Sequence, residues 1–187
     1  MDAADWTFES SPNMPRHPRA LGDGWQFDFP ERQGVGYLTT RQRPASASQA
    51  IRASIAVETV GNPLFEYRTE SFNTCPAPAT VRLYFQRRGD NMSGTGEYEF
   101  YRWWSNPVAY QLGSGSIELV GNLADPSVWS SVLGKNGAES EPAFRAALAD
   151  MGAAGFTFGG GCFFGHGVYV TPGTGQAVFT AREFTVS

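Results

Sequence analysis

The chain has 187 residues and a formal net charge of −4, and 17% of its residues are charged while 14% are aromatic. This length suits one domain with a buried core, so we expect residues 1–187 to form a single domain. The aromatic content excludes a disordered chain, and the acidic balance argues against a general nucleic-acid binder. No apolar run approaches the roughly 20 residues of a membrane-spanning helix.

The first half of the chain predicts short strands separated by turns and Pro-rich loops. Apolar and polar residues alternate there with period two, which is the pattern of a half-buried strand. The predicted strands lie at residues 6–8, 25–29, 36–40, 51–57 and 64–69. Residues 10–24 and 41–49 are rich in Pro, Arg, Ser or Gly and predict loops.

The clearest strand signal lies at residues 80–86. Its two faces differ sharply, since one carries Val81, Leu83 and Phe85. The other face carries Arg82, Tyr84 and Gln86. Side chains of a strand alternate between the two faces of a sheet, so the second set would share a surface.

A long aromatic strand is predicted at residues 97–104, ending before the Asn-Pro pair at 106–107. Alternation would place one set of residues on one face: Glu97, Glu99, Tyr101 and Trp103. It would place the other set on the opposite face: Tyr98, Phe100, Arg102 and Trp104. One face must belong to the core of any sandwich, and the other is then open to a ligand.

The last third of the chain predicts more strands and one helix. Strands are expected at residues 110–112, 116–120, 155–158, 168–170 and 177–186, while 124–134 is ambiguous. A helix is predicted near 141–151, with Ser140 as N-cap, Pro142 in the first turn, an apolar stripe that ends at Met151, and Gly152 as its end. The sequence therefore predicts an all-β fold, a two-sheet antiparallel jelly-roll sandwich with one short helix.

The end of the chain carries a family resemblance. Gly165-His-Gly-Val-Tyr-Val170, a Pro-Gly turn and the strand Ala-Val-Phe-Thr-Ala-Arg-Glu-Phe-Thr-Val186 follow the predicted helix. This pattern resembles the end of a jelly-roll module of the galactose-binding-like and bacterial carbohydrate-binding type. The resemblance implies a non-catalytic glycan-binding module, but fold alone does not fix a ligand.

The residues themselves favour carbohydrate as the ligand. Sugar rings offer apolar C–H faces to aromatic side chains, while their hydroxyls need fixed polar partners. A strand that mixes aromatic rings with Arg and Glu can supply both. The candidate ligand-binding residues are Arg82, Tyr84, Gln86, Tyr98, Arg102, Trp103, Trp104 and His166. We expect a glycan or small carbohydrate partner, no nucleic acid and no membrane span.

Two other functions stay open. A jelly-roll glycoside hydrolase or polysaccharide lyase could use Glu97 or Glu99 with His166, since strand neighbours two apart share a face with Cβ atoms about 7 Å apart. No known acid–base motif accompanies them, so solvent-facing glutamates are the favoured interpretation. A structural or assembly module that binds protein through the aromatic face is the second alternative.

Two further motifs carry less weight. Arg88-Gly-Asp90 matches an adhesion tripeptide, but it is also ordinary turn chemistry. Glu9, Asp28 and Glu183 are conceivable ligands of a structural calcium ion, yet no spacing supports them, and we expect no other cofactor and no metal centre.

Two cysteines, Cys75 and Cys162, have no metal-ligand spacing. One disulfide or two buried thiols are both compatible with the sequence, and a disulfide between these two cysteines is the prediction that can be tested. The first residues, Met1-Asp-Ala-Ala-Asp5, lack a leader signal. We expect an extracellular, periplasmic or cell-surface protein whose leader has been removed, with a cytoplasmic protein as the open alternative.

Overall fold

The structure, a computed structural model, describes residues 1–41, 49–68 and 77–187, without the side chains at 107 and 108. Within these residues the chain is mostly β-structure, with two main antiparallel sheets packed together and one α-helix. The predicted all-β sandwich is therefore confirmed. None of the helices in these residues is both long and apolar enough to cross a membrane.

Several strands are longer than the sequence predicts, while those predicted at 36–40 and 64–69 are shorter. In chain order they are β1 (Trp6–Glu9), β2 (Arg19–Leu21), β3 (Gly24–Asp28), β4 (Tyr37–Thr40), β5 (Ala50–Gly61), β6 (Phe65–Tyr67), β7 (Ala79–Arg87), β8 (Arg102–Gln111), β9 (Gly115–Asn122), β10 (Trp129–Ser131), β11 (Met151–Gly160), β12 (Val168–Val170) and β13 (Gly175–Val186). Helix α1 spans Glu141–Ala149, and short 3-10 helices span Ala3–Asp5, Gly96–Phe100 and Pro126–Val128.

The strands are divided between two sheets and a small ribbon. The six-stranded sheet has the order β1-β4-β11-β7-β8-β10, and the five-stranded sheet has the order β2-β3-β13-β5-β9. Strands β12 and β6 form a separate two-stranded ribbon. Neighbours in each sheet are antiparallel, and the last long strand, β13, lies between β3 and β5. The arrangement is compatible with a jelly roll.

The core lies between the two main sheets and is built largely of aromatic rings. Trp6 of β1 packs on Trp25 of β3 and on Phe156 of β11, with ring centroids 4.9 Å and 5.6 Å apart. At one end, Phe144 of α1 packs edge-on against Phe85 at 5.5 Å. Such offset and edge-on contacts are the favourable geometries for aromatic pairs. Many of the aromatic residues that make the composition unusual therefore lie in this core.

The predicted strand at residues 97–104 is wrong over its first half. Residues Gly96–Phe100 form a 3-10 helix, and β8 begins only at Arg102. The Asn-Pro pair at 106–107 does not end a strand, because β8 continues through it to Gln111. A proline is tolerated in a sheet where its position needs no N–H donor.

Two smaller predictions also need correction. Helix α1 ends at Ala149, so Met151 and Gly152 belong to β11 rather than to the helix stripe and its cap. Ser140 is the N-cap residue, although its side chain makes no capping hydrogen bond. The loop predicted at 10–24 contains β2 and the start of β3.

Candidate functional site

The outer face of the six-stranded sheet carries a second, polar-aromatic cluster. The strand register places Thr39, Gly155, Tyr84, Trp104 and Ser130 in one row across β4, β11, β7, β8 and β10. The hydroxyls of Thr39 and Tyr84 are hydrogen-bonded to each other across the strand that separates them. This contact is possible because the residue between them is Gly155, which has no side chain. Burial raises the pKa of Tyr84 well above its ordinary value.

A buried ion pair lies beside this row. Nε of Arg102 is 2.7 Å from Oδ2 of Asp90, and the two side chains are 7% and 0% exposed. Arg102 also donates to the hydroxyl of Tyr37 at 3.3 Å and to the backbone carbonyl of Met92 at 2.9 Å. A buried pair is held better when further hydrogen bonds engage its other groups, and here Nη1 and Nη2 of Arg102 both donate, while Oδ1 of Asp90 accepts from the backbone N–H of Met92.

The glycine-rich segment at residues 159–167 folds back over this face. A Cβ at Gly159 would lie 2.0 Å from the carbonyl oxygen of Phe163, and one at Gly165 would lie 2.3 Å from the hydroxyl of Tyr37. Gly165 also has φ +75°, in the left-handed region. The glycines are thus required by close contacts, and they allow the loop to pack directly on the aromatic cluster.

The loop brings Phe164 onto a buried cation. The Cζ of Arg82 is 4.0 Å from the centre of the Phe164 ring, and that ring lies 6.0 Å from the ring of Trp104. Arg82 donates from Nη1 to the carbonyl of Ser105 at 2.9 Å. Burial lowers the pKa of Arg82 to about 10.

A cleft of about 750 Å³ opens between this loop and the segments on its other side. We call it the loop cleft. Three surfaces line it: the outer face of the sheet, the glycine-rich loop, and the turns that follow β7 and β10. Its residues include Arg102, Trp104, Phe163, Phe164, His166 and Leu133. This volume is ample for a small organic ligand.

Four buried polar atoms of residues that line the loop cleft have no hydrogen-bond partner among the described residues. One is Nε of Arg102, which is ion-paired with Asp90, and the others are the indole Nε1 of Trp104 and the hydroxyls of Ser130 and Ser131. Buried polar groups in folded proteins are almost always paired, because an unpaired one loses about 1–3 kcal/mol. Their presence together at one cleft suits a ligand that offers hydrogen-bonding groups.

The structure places six of the eight predicted binding residues in three locations. Arg102, Trp104 and His166 line the loop cleft, as one site would require. Arg82 and Tyr84 lie on the same face of the sheet but are buried beneath the glycine-rich loop. Gln86 lines a second cavity of about 370 Å³ with Glu9, Thr39 and Asp90 among its walls.

Tyr98 and Trp103 lie outside the loop cleft. Trp103 is fully buried and packs edge-on against Phe144 at 5.2 Å, while its Nε1 donates to the carbonyl of Phe100. It points into the core because strand alternation sends Trp104 to the outer face. Tyr98 lies on the 3-10 helix and packs against Tyr101 at 4.8 Å. We therefore remove both residues from the site.

The carboxylates considered for catalysis also lie elsewhere. Glu97 and Glu99 are on the 3-10 helix rather than on one face of a strand, and neither lines the loop cleft with His166. Glu97 accepts a hydrogen bond from the hydroxyl of Tyr101 at 3.2 Å, and Glu99 is 3.8 Å from Lys135. The geometric basis for pairing them with His166 is lost.

The adhesion tripeptide and the calcium site gain no support. Asp90 is buried against Arg102, so it cannot be presented to a receptor. In the described ranges, no three His, Cys, Asp or Glu side chains gather in a group that could hold a metal. Asp28 is instead ion-paired with Arg19 on the five-stranded sheet.

The disulfide between Cys75 and Cys162 stays a prediction. Cys75 lies outside the described residues. Cys162 lies in the glycine-rich loop and lines the loop cleft. A bond at this position would tether the loop that covers the sheet.

Several residues of the site were missed from the sequence. Tyr37 looks like an ordinary strand residue, and Asp90 attracts notice only through the adhesion tripeptide. Phe163 and Phe164 lie in the glycine-rich run at residues 159–167, which matches no strand pattern or site motif. One signal for the two phenylalanines was available, since aromatic residues within a run of glycines have little core to enter.

Comparison of the chain with protein-family models, with curated proteins and with solved structures finds no match. The fold and the site therefore define this protein only as a mostly-β sandwich with a covered polar-aromatic face.

Proposed function

We propose that this protein binds carbohydrate in the loop cleft and does so without catalysis. The observation that carries the proposal is the mixture of groups at one cleft. Aromatic rings of Phe163 and Phe164 stand there with unpaired buried donors and acceptors, above all the indole N–H of Trp104. A sugar offers both an apolar C–H face for the rings and hydroxyls for the polar groups, whereas a purely apolar ligand would leave the polar groups unpaired.

The mode of binding differs from an open aromatic surface. The strand residues Tyr84 and Trp104 are packed under the loop and cannot stack freely on a polysaccharide. The rings available for stacking are those of the half-buried loop residues Phe163 and Phe164. We therefore propose a cleft that takes a short segment or one end of a glycan.

The resemblance to galactose-binding-like and carbohydrate-binding modules supports this proposal as an analogy of fold. We place the binding outside the cytoplasm, because glycans are abundant there and the predicted disulfide would persist there.

The test is a glycan array followed by affinity electrophoresis of the purified protein. We expect retention by at least one glycan, and no retention by any of them overturns the proposal. Phe163→Ala should weaken binding roughly fivefold to tenfold, since a stacking ring contributes about 1 kcal/mol.

Leu64→Ala is the matched control for the loss of an apolar side chain. Leu64 is 58% exposed and does not line the loop cleft. The Leu64→Ala variant should bind glycan as tightly as the unaltered protein. Equal loss in both variants would show that the loop cleft is not the site.

A further inference from the structure

Arg82 is a buried cation that pairs with no carboxylate in the part of the chain that the structure describes. It is 6% exposed, and the only hydrogen bond of its side chain there runs from Nη1 to the carbonyl of Ser105. Its Nε is buried and has no hydrogen-bond partner among the described residues. Buried charges are normally paired, because removing a charge from water is costly. Arg102, at the same exposure, has Asp90 as its partner.

The side chain of Phe164 lies between Arg82 and the loop cleft. The ring of Phe164 lies over the guanidinium at 4.0 Å and also lines the cleft. Phe164 belongs to a segment with Gly161 before it and Gly165 after it, and Gly165 is in the left-handed region. A movement of this ring is therefore the route by which a ligand in the cleft would reach Arg82.

The free edge of the guanidinium matches a carboxylate. Because Nη1 is held by Ser105, the edge formed by Nε and Nη2 is the one that carries the buried Nε, which has no hydrogen-bond partner among the described residues. Two parallel N–H groups on one edge accept the two oxygens of a carboxylate side-on. A neutral hydroxyl would use only one of them.

We propose that Arg82 binds the carboxylate of an acidic sugar, which displaces the Phe164 ring from the guanidinium. This inference rests on the proposed glycan binding in the loop cleft and narrows its substrate class to uronic-acid glycans. The alternative is a permanent contact between Arg82 and Phe164 that only stabilises the fold. In that case the charge of the ligand makes no difference.

The experiment compares acidic oligosaccharides with their own carboxyl-reduced, neutral counterparts by isothermal titration calorimetry. The probes are oligomers of galacturonic, glucuronic and mannuronic acid. We expect at least one acidic oligomer to bind tenfold or more tighter than its reduced form, as a charged hydrogen-bonded pair would give. Equal binding of the two forms overturns the inference alone. Failure of every acidic and neutral glycan to bind overturns the proposed function as well.

Three variants locate the effect. Arg82→Gln should remove the preference for the acidic form, whereas Arg182→Gln, the same charge change at an exposed position on β13, should keep it. Phe164→Ala uncovers Arg82 and should keep or increase the preference. If Arg82→Gln fails to fold, the comparison of the two ligand forms on the unaltered protein and on Phe164→Ala still decides. Unchanged preference in folded Arg82→Gln overturns the assignment to Arg82.

Discussion

The contact between Gly165 and Tyr37 gives a sharp test of how the loop is held. A Cβ at position 165 would lie 2.3 Å from the hydroxyl of Tyr37 and 2.4 Å from its ring carbon Cζ. Tyr37 is buried and accepts a hydrogen bond from Arg102, so it has little room to move. Gly165→Ala should therefore displace either the loop or the tyrosine.

Gly173 is the matched control because it shares the backbone conformation but not the contact. Its φ is +80° against +75° for Gly165, and a Cβ there would meet nothing within 4 Å. An alanine in this region costs about 1 kcal/mol of backbone strain at either position. Overpacking against Tyr37 adds about 1–3 kcal/mol at position 165 only. We expect a loss of about 2–4 kcal/mol for Gly165→Ala and about 1 kcal/mol for Gly173→Ala.

The assay is urea unfolding followed by tryptophan fluorescence, with both variants and the unaltered protein measured side by side. The difference between the two variants isolates the cost of the contact with Tyr37. Equal losses in Gly165→Ala and Gly173→Ala would refute the claim that the loop packs directly on this tyrosine.

Three further predictions concern the charges and the cysteines. Asp90→Asn should lower the free energy of unfolding by about 3 kcal/mol, because it leaves the buried Arg102 without its carboxylate partner. Asp28→Asn, in an exposed ion pair, should lower it by less than about 1 kcal/mol, and equal losses in urea unfolding would contradict this. Burial raises the pKa of Glu9 above 4.5, so the ionised form of this residue disfavours the folded state. Glu9→Gln should therefore raise the free energy of unfolding at pH 7 but not below pH 4.5, measured by urea unfolding at each pH. A gain that persists at low pH would argue against this. A disulfide between Cys75 and Cys162 should add roughly 4 kcal/mol in the chain-entropy model, and two titratable thiols in the unfolded, unreduced protein would reject it.

Period-two alternation was enough to locate most strands and one face of the site. It separated Arg82 and Tyr84 from Leu83, and the structure places the first two on the outer face and the third in the core. Each strand is half-buried in a sandwich, so the pattern of a single strand carries that information without its neighbours.

The same rule failed at residues 97–104 because a 3-10 helix can imitate it. Tyr98 and Tyr101 are three apart, and their rings pack in a tilted arrangement at 4.8 Å, which a helix with three residues per turn favours. Glu97 and Glu99, on either side of Tyr98, give the segment a false alternation of charged and aromatic residues. Only the strand register shows that β8 begins to pair with β7 at Arg102, which lies opposite Gln86.

The ion pair and the row of hydroxyls were beyond sequence reasoning for a different reason. Tyr37, Asp90 and Arg102 come from separate parts of the chain, and their meeting depends on the order of strands in the sheet. No local pattern specifies that β11 inserts between β4 and β7, which puts Gly155 between Thr39 and Tyr84.

The division of aromatic residues between the two faces determines which variants test function. Tyr37, Tyr84 and Trp104 form a buried cluster of their own outside the main core, so truncating any of them creates a cavity and tests stability first. Phe163 and Phe164 are only half-buried and belong to the loop that covers this cluster. Because the loop is also held by backbone hydrogen bonds from Gly160 to Phe163 and from Gly167 to Phe158, these two rings can be altered with the sheet intact. Binding that is lost in Phe163→Ala while the fold is preserved would therefore assign recognition to the loop rather than to the strands.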